Sequence, residues 1–323
     1  MRRRQMIGLA GAVAGMAALG RAARAGTSGV ALIVPDFPSA PAGIAARLLQ
    51  PALSAALGCR VIVDFRPGAG GIVGLMAGAR ASDDASVLTV LTQAIVAAPW
   101  LAARMDAEPG DFTPIGRISF TPEVLLVGAA RPWHRLADLI AALRADPGHI
   151  RTSFDGAWTS AEIAEVMLLD RAGVAARPVP GPGVAAALRD LRLGFALRPL
   201  PAALAALAGG GLRALAVSAP ARVAALPDVP TLREQGIDVA LGSWLALAAP
   251  RGTAAWRLAP AQAALRRVLA EEGVRAALNA AGLPPAWLGP TATARAIGRE
   301  YRALGALFTA AGVNVRQTAV AVR

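Results

Sequence analysis

The sequence predicts an α/β protein built on a parallel sheet, and three observations carry that expectation. The first hundred residues of the mature region read strand, loop, helix three times over. The loops that close those strands are rich in glycine and proline rather than charge. Beyond them, further strand-loop-helix units continue through the middle of the chain before a helical C-terminal third. Repeated βα units build parallel sheets, with their loops at the carboxyl edge, where ligands sit.

Val30-Ala31-Leu32-Ile33-Val34 is expected as the first strand, stopped by Pro35, with a helix from about Ala42 to Leu57. Val61-Ile62-Val63 opens the second strand, which Arg66-Pro67 ends. Gly68-Ala69-Gly70-Gly71 follows, and glycine admits backbone angles that side chains forbid. Ile72, Leu75 and Met76 then share one helical face. Such a loop can offer bare N–H groups at a positive helix end, a natural anion seat. Taken alone it is equally a tight connection, since a glycine run is a weak motif. Val87 to Thr92 is the third strand, with a helical stretch from Ile95 to Met105.

Phe112 to Arg117 leads into a strand at Glu123 to Val127. Helices are expected at Leu136 to Leu143, from Thr159 or Ser160 as cap through Met167, at Ala185 to Leu191 and, briefly, at Thr231 to Gln235. Strands are expected at Ile150 to Ser153, Leu212 to Val217 and Ser243 to Ala248. Helices at Trp256 to Glu271, Glu272 to Ala280 and Thr291 to Ala311 close the chain. These patterns fit one large sheet or two lobes with the chain crossing twice.

Composition narrows the class. The net charge is +12, all of it from arginine, for the chain has no lysine; five arginines lie in residues 1–25, and without them the charge falls to +7. The rest are scattered among Ala and Leu. Nucleic-acid binding wants a basic stripe with aromatics, so these read as solvated helix faces. A single cysteine, Cys59, rules out an intramolecular disulfide and multi-cysteine metal sites. Met1-Arg2-Arg3-Arg4-Gln5, the apolar run Met6 to Leu19 and Ala23-Arg24-Ala25 form a signal-peptide pattern, cleaved after Ala25, by the general or the twin-arginine route. A periplasmic location follows as an expectation.

Catalytic constellations are sparse. The two histidines, His134 and His149, fall in turns. There is no Gly-x-Ser-x-Gly elbow, no His-Glu-x-x-His and no P-loop lysine. No enzyme activity, cofactor or metal is expected.

Several stretches, in order, resemble the periplasmic solute-binding proteins of tripartite tricarboxylate transporters (Bug or TctC-like proteins). They are Leu32-Ile33-Val34-Pro35, Arg66-Pro67-Gly68-Ala69-Gly70-Gly71, Ala186-Ala187-Leu188-Arg189-Asp190-Leu191, Leu212 to Val217, Ala225-Leu226-Pro227-Asp228-Val229-Pro230-Thr231, and Ser243-Trp244 with Ala249-Pro250-Arg251-Gly252-Thr253. The resemblance implies a two-lobed Venus-flytrap fold of the type II periplasmic-binding class. It implies lobe 1 at 26–127 plus 245–323 and lobe 2 at 128–244, with a small organic acid between them. Its partners would be the permease subunits of a tripartite transporter, or a membrane sensor, with the protein itself a monomer; a family member with a degenerate pocket is the remaining alternative.

The same resemblance implies ligand contacts at Phe37, Pro38, Ser39, Ala40 and Gly43, at Gly68, Ala69, Gly70 and Gly71, and at Thr92 and Gln93. In the second lobe it implies Asp155, Gly156, Ala157, Trp158 and Thr159, with Pro180 and Gly181. The chain departs from the family at Ser39, Ala40, Gly43, Phe65 and Gly181-Pro182, and in a shortened segment from Leu193 to Arg198. Two family carboxylates are absent there. The departures point to a more apolar pocket, with Arg198 either pairing a ligand acid or facing solvent. Trp158 is the tryptophan placed in a candidate loop.

Overall fold

The computed structural model describes residues 29–102, 105–153, 159–179 and 183–310. The signal-peptide pattern lies outside them, as do Asp155, Gly156, Ala157, Trp158, Pro180 and Gly181.

The first three βα units form as expected. Strand β1 (Val30–Val34) is followed by α1 (Pro41–Leu57), β2 (Val61–Phe65) by α2 (Ile72–Ala79), and β3 (Val87–Leu91) by α3 (Ala94–Leu101). Pro41 suits the first turn of α1, where its missing N–H costs nothing, and Gly58 ends that helix in the left-handed region at φ 65°. β1 pairs in parallel with β2 on one side and β3 on the other.

Next comes β4, a single strand of 17 residues from Phe112 to Gly128. The sequence suggests only a lead-in and a short strand there, because Pro114 and Pro122 interrupt the pattern. Register shifts between Pro114 and Gly116 and between Arg117 and Ser119 absorb the irregularity. After it run α4 (Leu136–Ala145), β5 (Arg151–Thr152), α5 (Ser160–Ala172), β6 (Arg177–Pro178), α6 (Val184–Arg189), β7 (Phe195–Pro199), α7 (Leu200–Ala208) and β8 (Leu212–Val217). The chain returns through β9 (Gly242–Pro250), and α8 (Ala255–Ala270), α9 (Glu272–Ala280), β10 (Pro285–Leu288) and α10 (Pro290–Ala310) follow.

Four of these elements, β6, β7, α7 and β10, are not anticipated from the sequence. The expected short helix at Thr231 to Gln235 is instead a turn. Thr231 bridges to Val217, and Thr231 and Glu234 bond each other's backbone N–H reciprocally. The capping signal is present, but the bridge to β8 holds the segment extended where a helix would begin.

β4 joins two sheets. Residues 112–122 pair antiparallel with β9, which also pairs with β3, and β10 flanks β4 on this half. From Glu123 onward the same strand pairs antiparallel with β7 and β8. β7 then pairs in parallel with β5, and β5 with β6. The switch falls where Pro122 faces Gly242. A mixed α/β fold in two lobes results, with β4 and β9 running between them.

Each lobe has its own core. Leu32, Leu49, Leu247 and Leu265 pack α1 and α8 against the first sheet. Val124, Leu188 and Ala203 pack α6 and α7 against the second. A third cluster, from Leu75 and Ile95 through Leu304 to Leu139 and Phe195, runs continuously past the shared strand.

Candidate functional site

A cavity of about 770 Å3 opens where the loops of the two sheets meet. That volume is ordinary for a small-molecule pocket. Its walls are largely the beginnings of helices. Asp36, Pro41 and Ala42 bring the start of α1. Ala69, Gly70 and Ile72 bring the glycine loop and the start of α2. Thr92, Gln93 and Ala94 bring the start of α3. Across the cavity stand Thr159 and Ser160 at the start of α5, and Pro199, Pro201 and Ala202 at the start of α7. Five helix N-termini among the described residues therefore ring one space, and each carries a partial positive charge.

The glycine loop has the geometry its sequence suggests. Gly68, Ala69, Gly70 and Gly71 have φ values of 136°, 48°, 66° and 98°. Four successive positive φ values turn the backbone tightly, and the N–H groups of Ala69 and Gly70 donate to no backbone carbonyl among the described residues. Such a concave backbone is an anion seat without a charged side chain.

The remaining wall comes from β4 and β9, through Thr121, Ser243, Trp244 and Leu245, and from Ala281 to Leu283. Asp36 is the one charged residue in the lining among the described residues, and no arginine belongs to it. Polar side chains are Thr92, Gln93, Thr121, Thr159, Ser160 and Ser243, set among alanines.

Two acids stand behind this wall, Glu123 buried and Glu300 partly buried. The Gln93 side-chain amide donates to Glu300 Oε1 at 2.6 Å, and the Trp244 indole N–H donates to Glu300 Oε2 at 2.8 Å. Burial pushes the Glu300 carboxyl up to about 7, against the pull of those two bonds. Glu123 lies at the switch point of β4 and is fully buried. Ser160 Oγ donates to its Oε1 at 2.6 Å, while Oε2 has no hydrogen-bond partner among the described residues. Burial pushes Glu123 up to about 7 as well, opposed by the Ser160 bond and the charge of Arg198. Three residues of the lining, Gln93, Trp244 and Ser160, are thus held from behind by carboxyls.

Among the sequence-predicted positions, Ala69, Gly70, Thr92, Gln93 and Thr159 line the cavity. Gly68 and Gly71 flank the lining pair, and a Cβ on Gly71 would lie 3.1 Å from the Pro35 carbonyl. Phe37, Pro38, Ser39 and Ala40 form the turn before α1 and are outside the lining; Phe37 is 60% exposed. Gly43 is buried in the first turn of α1, where a Cβ would come within 2.3 Å of the Phe37 carbonyl oxygen. Arg198 stands on β7 opposite Val124, also outside the lining, with its charge felt at Glu123.

Sequence reasoning missed Trp244, Thr121, Glu300 and the α7 start. Ser243-Trp244 belongs to the motif set, but nothing in it separates a packing tryptophan from a lining one. Pro199-Leu200-Pro201 is a helix-start signal that could have drawn attention to α7.

Residues 45–313 match the family model described as the tripartite tricarboxylate transporter family receptor, TctC. The chain belongs to that family. It is 28% identical to protein BugT of Bordetella pertussis, over 96% of this chain and 98% of the relative. A TctC solute-binding protein from Polaromonas, solved without ligand, superposes with a TM-score of 0.82 at 24% identity, covering 87% of this chain and 97% of its own. An R. palustris protein, Rpa4515, solved with adipate, has a TM-score of 0.65 at 26% identity, covering 88% of this chain and 98% of its own. The family is one of transporter receptors rather than of enzymes, in line with the sequence expectation. No helix among the receptor's described residues is long and apolar enough to cross a membrane.

Proposed function

We propose that this receptor captures a small organic acid in the cavity between its lobes and delivers it to the permease of a tripartite tricarboxylate-type transporter. The observation that carries the reading is the ring of five helix N-termini around a space whose lining holds no cationic side chain among the described residues. Helix ends and bare N–H groups favour a carboxylate, each end contributing about 0.3–1 kcal/mol. The alanine-rich lining suits the apolar spacer of such an acid. Binding of adipate by a 26%-identical neighbour supports the same class of ligand.

In this reading lobe 1 comprises residues 26–127 and 245–323 and lobe 2 residues 128–244, with the end of β4 from Glu123 reaching out of lobe 1 to pair with β7 and β8 of lobe 2. Residues 1–25 direct export to the periplasm and are removed. The ligand bridges α1, α2 and α3 on one side and α5 and α7 on the other. Contacts made only when both sides touch it favour the closed arrangement.

A thermal-shift panel of mono-, di- and tricarboxylates, with adipate as the first member, tests this. A true ligand at 100 times its Kd adds about 2.7 kcal/mol and raises Tm measurably. Absence of a shift across the whole panel overturns the assignment.

A further inference from the structure

A second cavity, of about 510 Å3, shares Trp244 with the first but has a different chemistry. Four arginines reach it from four parts of the chain: Arg117 on β4, Arg171 on α5, Arg233 in the turn before β9 and Arg299 on α10. Two acids share the lining, Asp238 and Glu300. Asp238 is committed to Arg233 at 2.8 Å. Glu300 is committed to Gln93 and Trp244. The two acids of the lining thus leave the other three guanidinium groups unmatched within it. Arg299 makes no hydrogen bond or ion pair among the described residues, and Arg171 has only Asp170, at 4.0 Å.

Arg117 is the most telling of the four. It is half-buried, its Nε donates to the Ala286 carbonyl at 2.9 Å, and its guanidinium lies 5.0 Å from the centre of the Phe120 ring. No carboxylate contacts it among the described residues. Burial alone draws its affinity for the proton below the usual arginine range, with no neighbouring negative charge to restore it. A guanidinium taken out of water without a counter-ion is costly, and a bound anion would relieve that cost. The same cavity is floored by Phe120, Met167, Leu241, Leu288 and Ile297, which suit an apolar body.

We propose that this cavity is a second ligand site, separate from the cleft, for an amphipathic organic anion: an acidic head held by Arg117 and Arg299, with an aromatic or aliphatic body against Phe120 and Met167. A free anion of this kind fits better than an acidic protein surface, because the apolar groups lie within a cavity and the arginines surround it. The arginines come from both halves of the molecule, β4 and α10 on one side and α5 and the turn before β9 on the other. An anion here would therefore tie the two lobes together at a place other than the cleft.

Isothermal titration of the purified protein with naphthalene-2-sulfonate tests the site. The expected result is saturable one-site binding, weakened at least tenfold in Arg117→Gln and in Arg299→Gln, and unchanged in Ala202→Phe, which fills the cleft instead. Arg299 is exposed, so its variant should fold even if Arg117→Gln does not. 1-Naphthylmethylammonium, a cation of similar ring size, should not bind. Absence of saturable binding overturns the proposal. So does undiminished affinity in folded Arg299→Gln, equal binding of the cation, or loss of binding in Ala202→Phe alone.

Discussion

Gly43 and Gly70 are both expected from the sequence as ligand contacts, and the structure separates them: Gly43 lies in the first turn of α1 and Gly70 in the glycine loop. A Cβ at Gly43 would lie 2.3 Å from the Phe37 carbonyl oxygen and 2.8 Å from Pro38 Cα, both backbone atoms that cannot swing away. Gly43→Ala should therefore cost about 1–3 kcal/mol by overpacking. Urea denaturation reads this directly, and a change below about 0.5 kcal/mol would mean the turn before α1 simply relaxes. A Cβ at Gly70 would meet nothing within 4 Å, but its φ is 66°. Gly70→Ala should cost about 1 kcal/mol of backbone strain and place a methyl group on the cavity-lining loop. The glycine run was legible because Gly68 to Gly71 act locally, through their own dihedrals. What each glycine faces was not, because Phe37 and Pro35 approach through the tertiary fold and leave no periodicity behind. Trp244 makes the same point: its place in the lining depends on β9 pairing with β4 more than a hundred residues away.

At the scale of elements, the helix starts hold most of the candidate site, and several were readable. Thr159 accepts a bond from the Glu162 N–H, as a Thr-x-x-Glu pattern at a helix start suggests. Thr159→Ala should lower stability by about 1 kcal/mol through loss of the cap, measured by chemical denaturation, and should weaken carboxylate binding if α5 presents its first turn to the ligand. Helix α10 was also expected, but its reach was not. Glu300 is 207 residues from Gln93 in sequence yet only 2.6 Å from it in space. Glu300→Gln keeps the shape and replaces one acceptor with a donor. Either the Gln93 amide or the Trp244 indole then loses its partner, at a cost of about 1–3 kcal/mol. Intrinsic fluorescence should shift as Trp244 changes environment, and an unchanged spectrum would show that α10 does not position that indole. β7 and α7 escaped notice for a related reason. Arg198-Pro199 breaks the apolar pattern of β7, and its strand character comes from pairing with β4 rather than from its own residues.

At the scale of the whole molecule, three carboxyls among the described residues, the buried Glu123 and Glu165 and the partly buried Glu300, are each pushed up to about 7, chiefly by desolvation. They occupy the places where the chain is most tightly joined. Glu123 ties the switch of β4 to α5, Thr152 Oγ1 donates to Glu165 at 2.6 Å between β5 and α5, and Glu300 ties α10 to α3 and β9. Each takes up a proton more readily in the folded chain than in the unfolded chain, where the ordinary value is 4.5. Between those two values the folded state binds more protons, so stability falls as pH rises. The contribution is complete below about 4.5 and is lost on passing through about 7, at most about 3 kcal/mol per group. Asp84, Asp138 and Glu234 act in the opposite sense. Asp84 and Glu234 are exposed and Asp138 is partly so, and backbone and side-chain bonds hold all three below the usual carboxylate range, so their contribution disappears as the solution becomes strongly acidic. Together the two groups place maximum stability in mildly acidic solution, near about pH 5, and not at neutrality. Thermal unfolding from pH 4 to pH 8 should show Tm declining across the upper half of that range. In Glu165→Gln, which removes a titrating group remote from Gln93 and Trp244, the decline should be shallower than in the parent chain. A Tm that holds level from pH 5 to pH 8 would mean that these carboxyls ionise in place with water or counter-charges beside them, and that the junction is wetter than its packing indicates.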